Sequence, residues 1–123
     1  MVNRSKQRPM NDLEERRDER PAGIMWFVYV LECRDHSYYV GITTDLARRL
    51  RMHNDGNASR WTRGRRPVYY RYAETRVSHS EARKREIELK GWRRAKKETL
   101  FSLPANMIDW PEFQRLPSLF PSP

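Results

Sequence analysis

Three observations predict a small fold built from both strands and helices. Two short runs rich in Tyr, Val and Ile, Trp26–Cys33 and Tyr38–Ile42, flank a tight polar turn. A third aromatic run follows at Val68–Ala73. Helix-start signals stand at Thr43-Thr44-Asp45 and again at Ser78-His79-Ser80-Glu81. A chain of 123 residues is of single-domain size.

The first run, WFVYVLEC, puts Trp26, Val28 and Val30 on one face and Phe27, Tyr29 and Leu31 on the other. Apolar groups on both faces predict a strand covered on both sides, central in its sheet. Arg34-Asp35-His36-Ser37 supplies the turn. On the return strand Tyr39 and Gly41 share one face, and Tyr38, Val40 and Ile42 the other. A glycine inside a strand marks close backbone approach, here to a ligand.

Thr43-Thr44-Asp45 offers N-cap oxygens to a helix over LARRLRMHN, whose spacing places Leu46, Arg49, Leu50 and His53 on one side. Asn54-Asp55-Gly56-Asn57 ends it. ASRWTRGRRP reads as a basic connector centred on Trp61, and Val68–Ala73 as an edge strand. Ser78 and Glu81 have capping-box spacing, and the helix they open carries Ala82, Glu86, Leu89 and Trp92 on its inward stripe. Gly91 breaks that helix, and RRAKKETLF reads as a shorter basic helical segment.

The ends are different in kind. Residues 1–24 mix charges with few large apolar groups, so they are expected to be disordered, an extension or a misassigned start ahead of Met25. Residues 102–123 hold five prolines together with Trp110, Phe113, Leu119 and Phe120. Such a tail is too proline-rich for regular structure, yet apolar enough to dock on the domain or on a protein partner. The ordered domain is accordingly expected over 25–101.

The formal charge is +9. Residues 25–101 carry eighteen basic against nine acidic side chains, so the excess belongs to the fold and not to a disordered arm. That suggests a polyanionic partner. A single cysteine, Cys33, excludes an intramolecular disulfide and a cysteine-based zinc site, and fits a reducing cytoplasmic setting. No apolar run reaches the roughly 20 residues of a membrane span, and the N-terminus has no apolar signal core.

The chemistry-bearing residues cluster. Arg49 presents planar donors suited to phosphate, and His53, one helical turn on, relays a proton near neutral pH. Tyr29 and Tyr39 lie on adjacent strands; cross-strand packing accounts for such a pair, but a phenol helped by a cation or a histidine becomes a base. Glu86 interrupts an apolar stripe. A buried carboxylate costs several kcal/mol unless it is ion-paired or binds a metal. With no acidic cluster around it, a one-metal site suits it better than a two-metal site. Arg60, Arg63, Arg65 and Arg66 surround Trp61, joining phosphate contacts to a stacking surface. Lys90, Arg93, Arg94, Lys96 and Lys97 form a second basic group.

Phe27-Val28-Tyr29 followed by Tyr39-Val40-Gly41, with Arg49 ten residues on and Glu86 on a later helix, resembles the GIY-YIG nuclease superfamily. GITTDLARRLRMHN, TRGRRPV and KREIELK…RAKK resemble its small stand-alone UPF0213 branch. The resemblance covers residues 25–101. It implies an α+β fold, a three-stranded antiparallel sheet flanked by helices. It also implies hydrolysis of nucleic-acid phosphodiesters, DNA before RNA and with weak sequence preference, with one divalent cation, Mg²⁺ or Mn²⁺. Carried over, Glu86 holds the metal and Arg49 stabilises charge on the phosphate. Tyr29 activates water with His53 drawing its proton, and Tyr39 positions water or phosphate, although the two tyrosine roles are interchangeable at this level. Gly41 keeps the approach clear. Three positions depart from the pattern: Phe-Val replaces Gly-Ile in the first motif, His36 occupies a turn position where glycine is common, and Trp61 stands where a tyrosine is expected. The competing reading is a nucleic-acid-binding module of the same fold with little or no catalysis.

Overall fold

The computed structural model describes residues 25–110. Three strands, β1 (Trp26–Glu32), β2 (Tyr38–Thr43) and β3 (Tyr69–Arg76), form one antiparallel sheet in the order β2-β1-β3. Helices α1 (Leu46–Asn54) and α2 (Arg60–Arg63) lie between β2 and β3, and α3 (His79–Lys90) and α4 (Arg94–Glu98) follow β3. A single 3₁₀ turn at Met107–Asp109 closes the described chain. The α+β sheet-and-helix arrangement is the one the sequence implies.

β1 is central, and its two faces anchor two cores. Tyr29 and Leu31 pack with Leu46 and Leu50 of α1 and with Met107 and Ile108. Trp26, Val28 and Val30 pack with Ala82 and Leu89 of α3 and with Leu100. This division follows from the period of two along β1. β3 breaks that period: Val30 pairs with Tyr72 but Leu31 with Tyr70, so Arg71 is the extra residue of a bulge. Tyr70 and Ala73 therefore share the α1 face while Tyr72 enters the other core.

The helices start where side chains can accept backbone N–H groups. Asp45 accepts from Arg48 N, Ser59 from Trp61 N and Thr62 N, and Ser78 from Glu81 N. α2 is a departure from expectation, since 58–67 reads in sequence as a plain connector; the Ser59 cap stabilises one turn there. β3 also runs to Arg76, three residues beyond the expected Ala73. Glu74, one residue past the expected strand end, stays buried because Arg76 and Arg85 neutralise it at 2.7 and 3.0 Å and the Tyr72 hydroxyl donates to it at 2.6 Å.

Packing continues past the expected boundary at 101. Asn106 is buried and acts as an edge cap on β3: its amide donates to the carbonyls of Arg71 (2.9 Å) and Phe101 (3.0 Å) and its oxygen accepts from Ala73 N (3.2 Å). Residues 102–110 thus dock on the domain itself through Asn106, Met107 and Ile108. Proline density suppresses long helices and strands, but not one turn held by a buried amide. The N-terminal segment 1–24, with Phe113, Leu119 and Phe120 of the tail, lies outside the described residues.

Asn106→Ala leaves two carbonyls and two N–H groups, those of Ala73 and Ile108, without this partner, each worth about 1–3 kcal/mol when buried. We expect a loss of at least about 2 kcal/mol in a urea unfolding curve.

Candidate active site

Four elements converge beneath one face of the hairpin. β1 contributes Tyr29, β2 contributes Tyr39 and Gly41, α1 contributes Arg49 and His53, and α2 contributes Thr62. The Tyr29 hydroxyl lies 2.9 Å from His53 Nε2, and Arg49 Nε donates to it at 3.4 Å. On the far side of the ring, His53 Nδ1 meets Thr62 Oγ1 at 2.9 Å, and the Thr62 hydroxyl donates to the Ser59 carbonyl at 3.3 Å. Those bonds select one tautomer: Nδ1 carries the hydrogen and Nε2 accepts from the phenol. Burial and then the charge on Arg49 push the His53 pKa down to about 3, so the imidazole is neutral at ordinary pH.

Gly41 stands opposite Tyr29 in the β1–β2 register. A Cβ placed there would lie 2.4 Å from the Tyr29 hydroxyl oxygen and 2.6 Å from the ring carbon that bears it. The glycine therefore makes room for the phenol of the neighbouring strand, a close approach of protein to protein where sequence reasoning expects a ligand.

Tyr29 is 0% exposed, whereas Tyr39 is half-buried. The Tyr39 ring meets His53 edge-on at 5.2 Å and stacks near Trp61 at 6.2 Å, with 24° between the planes. Lys90 Nζ lies 5.9 Å above the Tyr39 ring and 3.1 Å from Glu86 Oε2. Glu86 joins the cluster through Lys90. Its carboxylate is 7% exposed as a residue and is held by Arg83 (2.6 Å) and Lys90, both half-exposed side chains. Sequence reasoning missed Thr62 and Arg83. Thr62 is a buried hydroxyl nine residues after His53, a separation that signals nothing until α2 folds back against α1.

Among the described residues no three His, Cys, Asp or Glu side chains group closely enough to hold a metal together. The donor set is one buried carboxylate beside two cations that can swing into solvent. It fits a hard cation that keeps most of its waters and takes one protein oxygen, and does not fit a fully caged ion.

The basic residues divide by what they touch. Arg65 sits 4.0 Å over the Trp61 ring and binds Asp35 at 3.1 Å, and Arg66 donates to the carbonyls of Arg63 and Asn54. Arg94 packs over Tyr38 at 4.2 Å, donates to the His36 carbonyl and pairs with Glu98. Lys96 caps the Trp92 ring at 4.4 Å. Arg60, Arg63 and Arg93 are exposed. Trp61, 37% exposed, already carries Arg65 on its ring. His36 has φ 68°, the left-handed conformation that favours glycine, and is held there by a 2.8 Å contact between Nδ1 and Glu32.

Two outcomes follow from this geometry. The His53 pKa is depressed, so the unfolded chain binds the proton more tightly. Stability is therefore complete above the ordinary histidine pKa and falls as pH drops from about 6.5 towards 3. The slope approaches about 1.4 kcal/mol per pH unit. His53→Gln should flatten that region in denaturation midpoints measured across pH. Gly41→Ala should displace the Tyr29 phenol and destabilise by about 1–3 kcal/mol, read by urea unfolding.

Known proteins resemble this chain over the stretch that carries the cluster. The family model for the GIY-YIG catalytic domain matches residues 25–99. A UPF0213 protein of Halobacterium salinarum is 51% identical over 77 residues, 63% of this chain and 100% of its own. Another, from Desulfotalea psychrophila, is 45% identical over 92 residues, 74% of this chain and 81% of its own. The solution NMR structure of a UPF0213 protein from Bacillus halodurans, 39% identical, aligns with 72% of this chain and 90% of its own at a TM-score of 0.43. Nucleases of the matched family generally use a divalent metal. With the family model spanning both tyrosines, Arg49 and Glu86, the chain belongs to the GIY-YIG family, in its UPF0213 group, and so to a nuclease superfamily.

Proposed function

We propose that this protein is a metal-dependent endonuclease that hydrolyses nucleic-acid phosphodiester bonds, with DNA as the first substrate to test. The observation that carries this reading is the convergence of a buried Arg49–Tyr29–His53–Thr62 chain with a solvent-reaching Tyr39 and a buried Glu86 beside it.

The two tyrosines have different roles because they have different access to water. The enclosed Tyr29 hydroxyl donates to neutral His53 and accepts from Arg49. It is a positioning residue: with His53 and Thr62 behind it, it fixes the Arg49 guanidinium. Tyr39, at the open edge of the sheet, contacts the attacking water or the scissile phosphate, the role the family resemblance implies for it, whereas Tyr29 positions Arg49 instead of activating water. Arg49 stabilises the charge that develops on the phosphate oxygens, and its preorganisation by Tyr29 lets it do so without rearrangement. Glu86 would hold the divalent cation through the oxygen now paired with Arg83, which would give way into solvent. When bound, that cation supplies Lewis-acid polarisation of the phosphate. Lys90, between Glu86 and Tyr39, supplies a further positive charge next to the reacting group.

One observation favours the second reading, a binding module without turnover. Both Glu86 oxygens are already engaged, one by Arg83 and one by Lys90.

A cleavage assay decides between them. Labelled single-stranded, duplex and branched DNA, with RNA alongside, would be incubated with Mg²⁺ or Mn²⁺ and wild type, Glu86→Ala or Arg49→Ala. Removing one such stabilising group costs about 10²–10³ in rate, and we expect at least that loss in both variants. Equal cleavage by Glu86→Ala sinks the site assignment. Salt-sensitive binding without cleavage by folded wild type establishes the module instead.

A further inference from the structure

We infer that the cleft between the β1–β2 turn and the connector from α2 to β3 grips the nucleic-acid backbone beside the cleaved bond, with Arg34 and Arg63 as its phosphate contacts. The inference rests on the nucleic-acid partner of the reading above, but not on turnover.

The cleft has a volume of about 630 Å³ and is lined by Arg34, Asn54, Arg63, Gly64, Arg66 and Pro67. Three arginines and no acidic residue line it. Arg66 is held in place by the carbonyls of Arg63 (2.8 Å) and Asn54 (3.3 Å). Among the described residues, the guanidinium groups of Arg34 and Arg63 make no hydrogen bond or ion pair, and both residues are exposed. The nearest acid on the turn, Asp35, is engaged by Arg65 at 3.1 Å and by Ser37 N, also at 3.1 Å. Guanidinium groups bind phosphate oxygens bidentately, and a local excess of them without acids is the electrostatic footprint of a polyanion.

The walls are fixed before anything binds. Arg34 N donates to the Arg65 carbonyl at 2.9 Å, joining turn to connector. The Asn54 side chain donates to the Val68 carbonyl at 3.0 Å and accepts from Val68 N at 2.8 Å, joining connector to α1. Little ordering remains to oppose association. Two of the elements that line the cleft also lead to the candidate active site. The turn that carries Arg34 leads into Tyr38 and Tyr39, and α2, which carries Arg63, also carries Trp61 beside Tyr39. A strand lying along the open edge of β2 and past Trp61 brings its next phosphates to this cleft. Sequence reasoning grouped Arg63 and Arg66 with Trp61, and the structure adds Arg34 from thirty residues away.

Gly64 gives the sharpest test. Its φ is −87°, and a Cβ there would meet no atom within 4 Å, so a side chain enters the cleft without strain. The full chain would be titrated with labelled duplex and single-stranded DNA without divalent metal, at salt from about 50 to 200 mM. Arg34→Gln should lower the slope of log affinity against log salt by about 0.9 on duplex and about 0.7 on single strands. Gly64→Glu should weaken binding roughly tenfold, while Gly64→Gln changes it little. Lys84→Gln, on the outer side of α3, is the control for net charge. Wild-type binding with an unchanged slope in Arg34→Gln and unchanged affinity in Gly64→Glu overturns the cleft and leaves the nuclease reading standing. Equal shifts in Arg34→Gln and Lys84→Gln overturn it too. No salt-sensitive binding by wild type overturns both.

Discussion

The hydroxyl of Tyr29 is sealed from water, and much of the structure follows from satisfying it there. A buried phenol without partners costs on the order of 1–3 kcal/mol. Here it has a neutral imidazole to donate to and a guanidinium to accept from, and the imidazole in turn is held by Thr62. Arg49 and His53 come from α1 and Thr62 from α2, so the chain of bonds sets how α1 and α2 sit on the sheet. Gly41 completes the arrangement, since any larger residue would occupy the volume of the Tyr29 hydroxyl. A fully satisfied polar network of this kind specifies one packing, where apolar contacts alone would tolerate several.

The two edges of the sheet are used differently. β3 is closed by Asn106, which imitates a neighbouring strand by pairing with the Arg71 carbonyl and the Ala73 N–H. The β2 edge carries the candidate site. Tyr39 stands there between Trp61 on one side and Lys90 on the other, with Glu86 behind Lys90. The site bridges both layers: Tyr39 belongs to the face packed by α1, while α3, which brings Glu86 and Lys90, packs against the opposite face. Only an edge strand lets groups from both layers meet.

Charge on this molecule falls into two kinds. Some arginines are structural. Arg85 and Arg76 neutralise Glu74, while Arg65, Arg66 and Arg94 tie loops together through carbonyls, acids and aromatic rings. Others, including Arg34, Arg60, Arg63 and Arg93, are exposed and give the surface its net sign. A sequence count adds both kinds, so it overstates how many cations are available to a partner.

Local rules were enough to read much of this chain. Period-two alternation identified β1 and its two faces, and helical spacing put Leu46, Arg49, Leu50 and His53 on one buried stripe. Side-chain caps at Asp45 and Ser78 marked two helix starts. These features depend on residues a few positions apart, so they are written directly in the order of side chains. What needed the folded chain depends on distant partners. The bulge at Arg71, the extension of β3 through a neutralised Glu74, the Asn106 cap, and the Thr62 contact to His53 each join residues whose separation carries no periodic signal. The difference between the two tyrosines belongs to the same class. Both are strand tyrosines in an aromatic run, and the closure of α1 over one of them, leaving the other at an open edge, makes them chemically unlike.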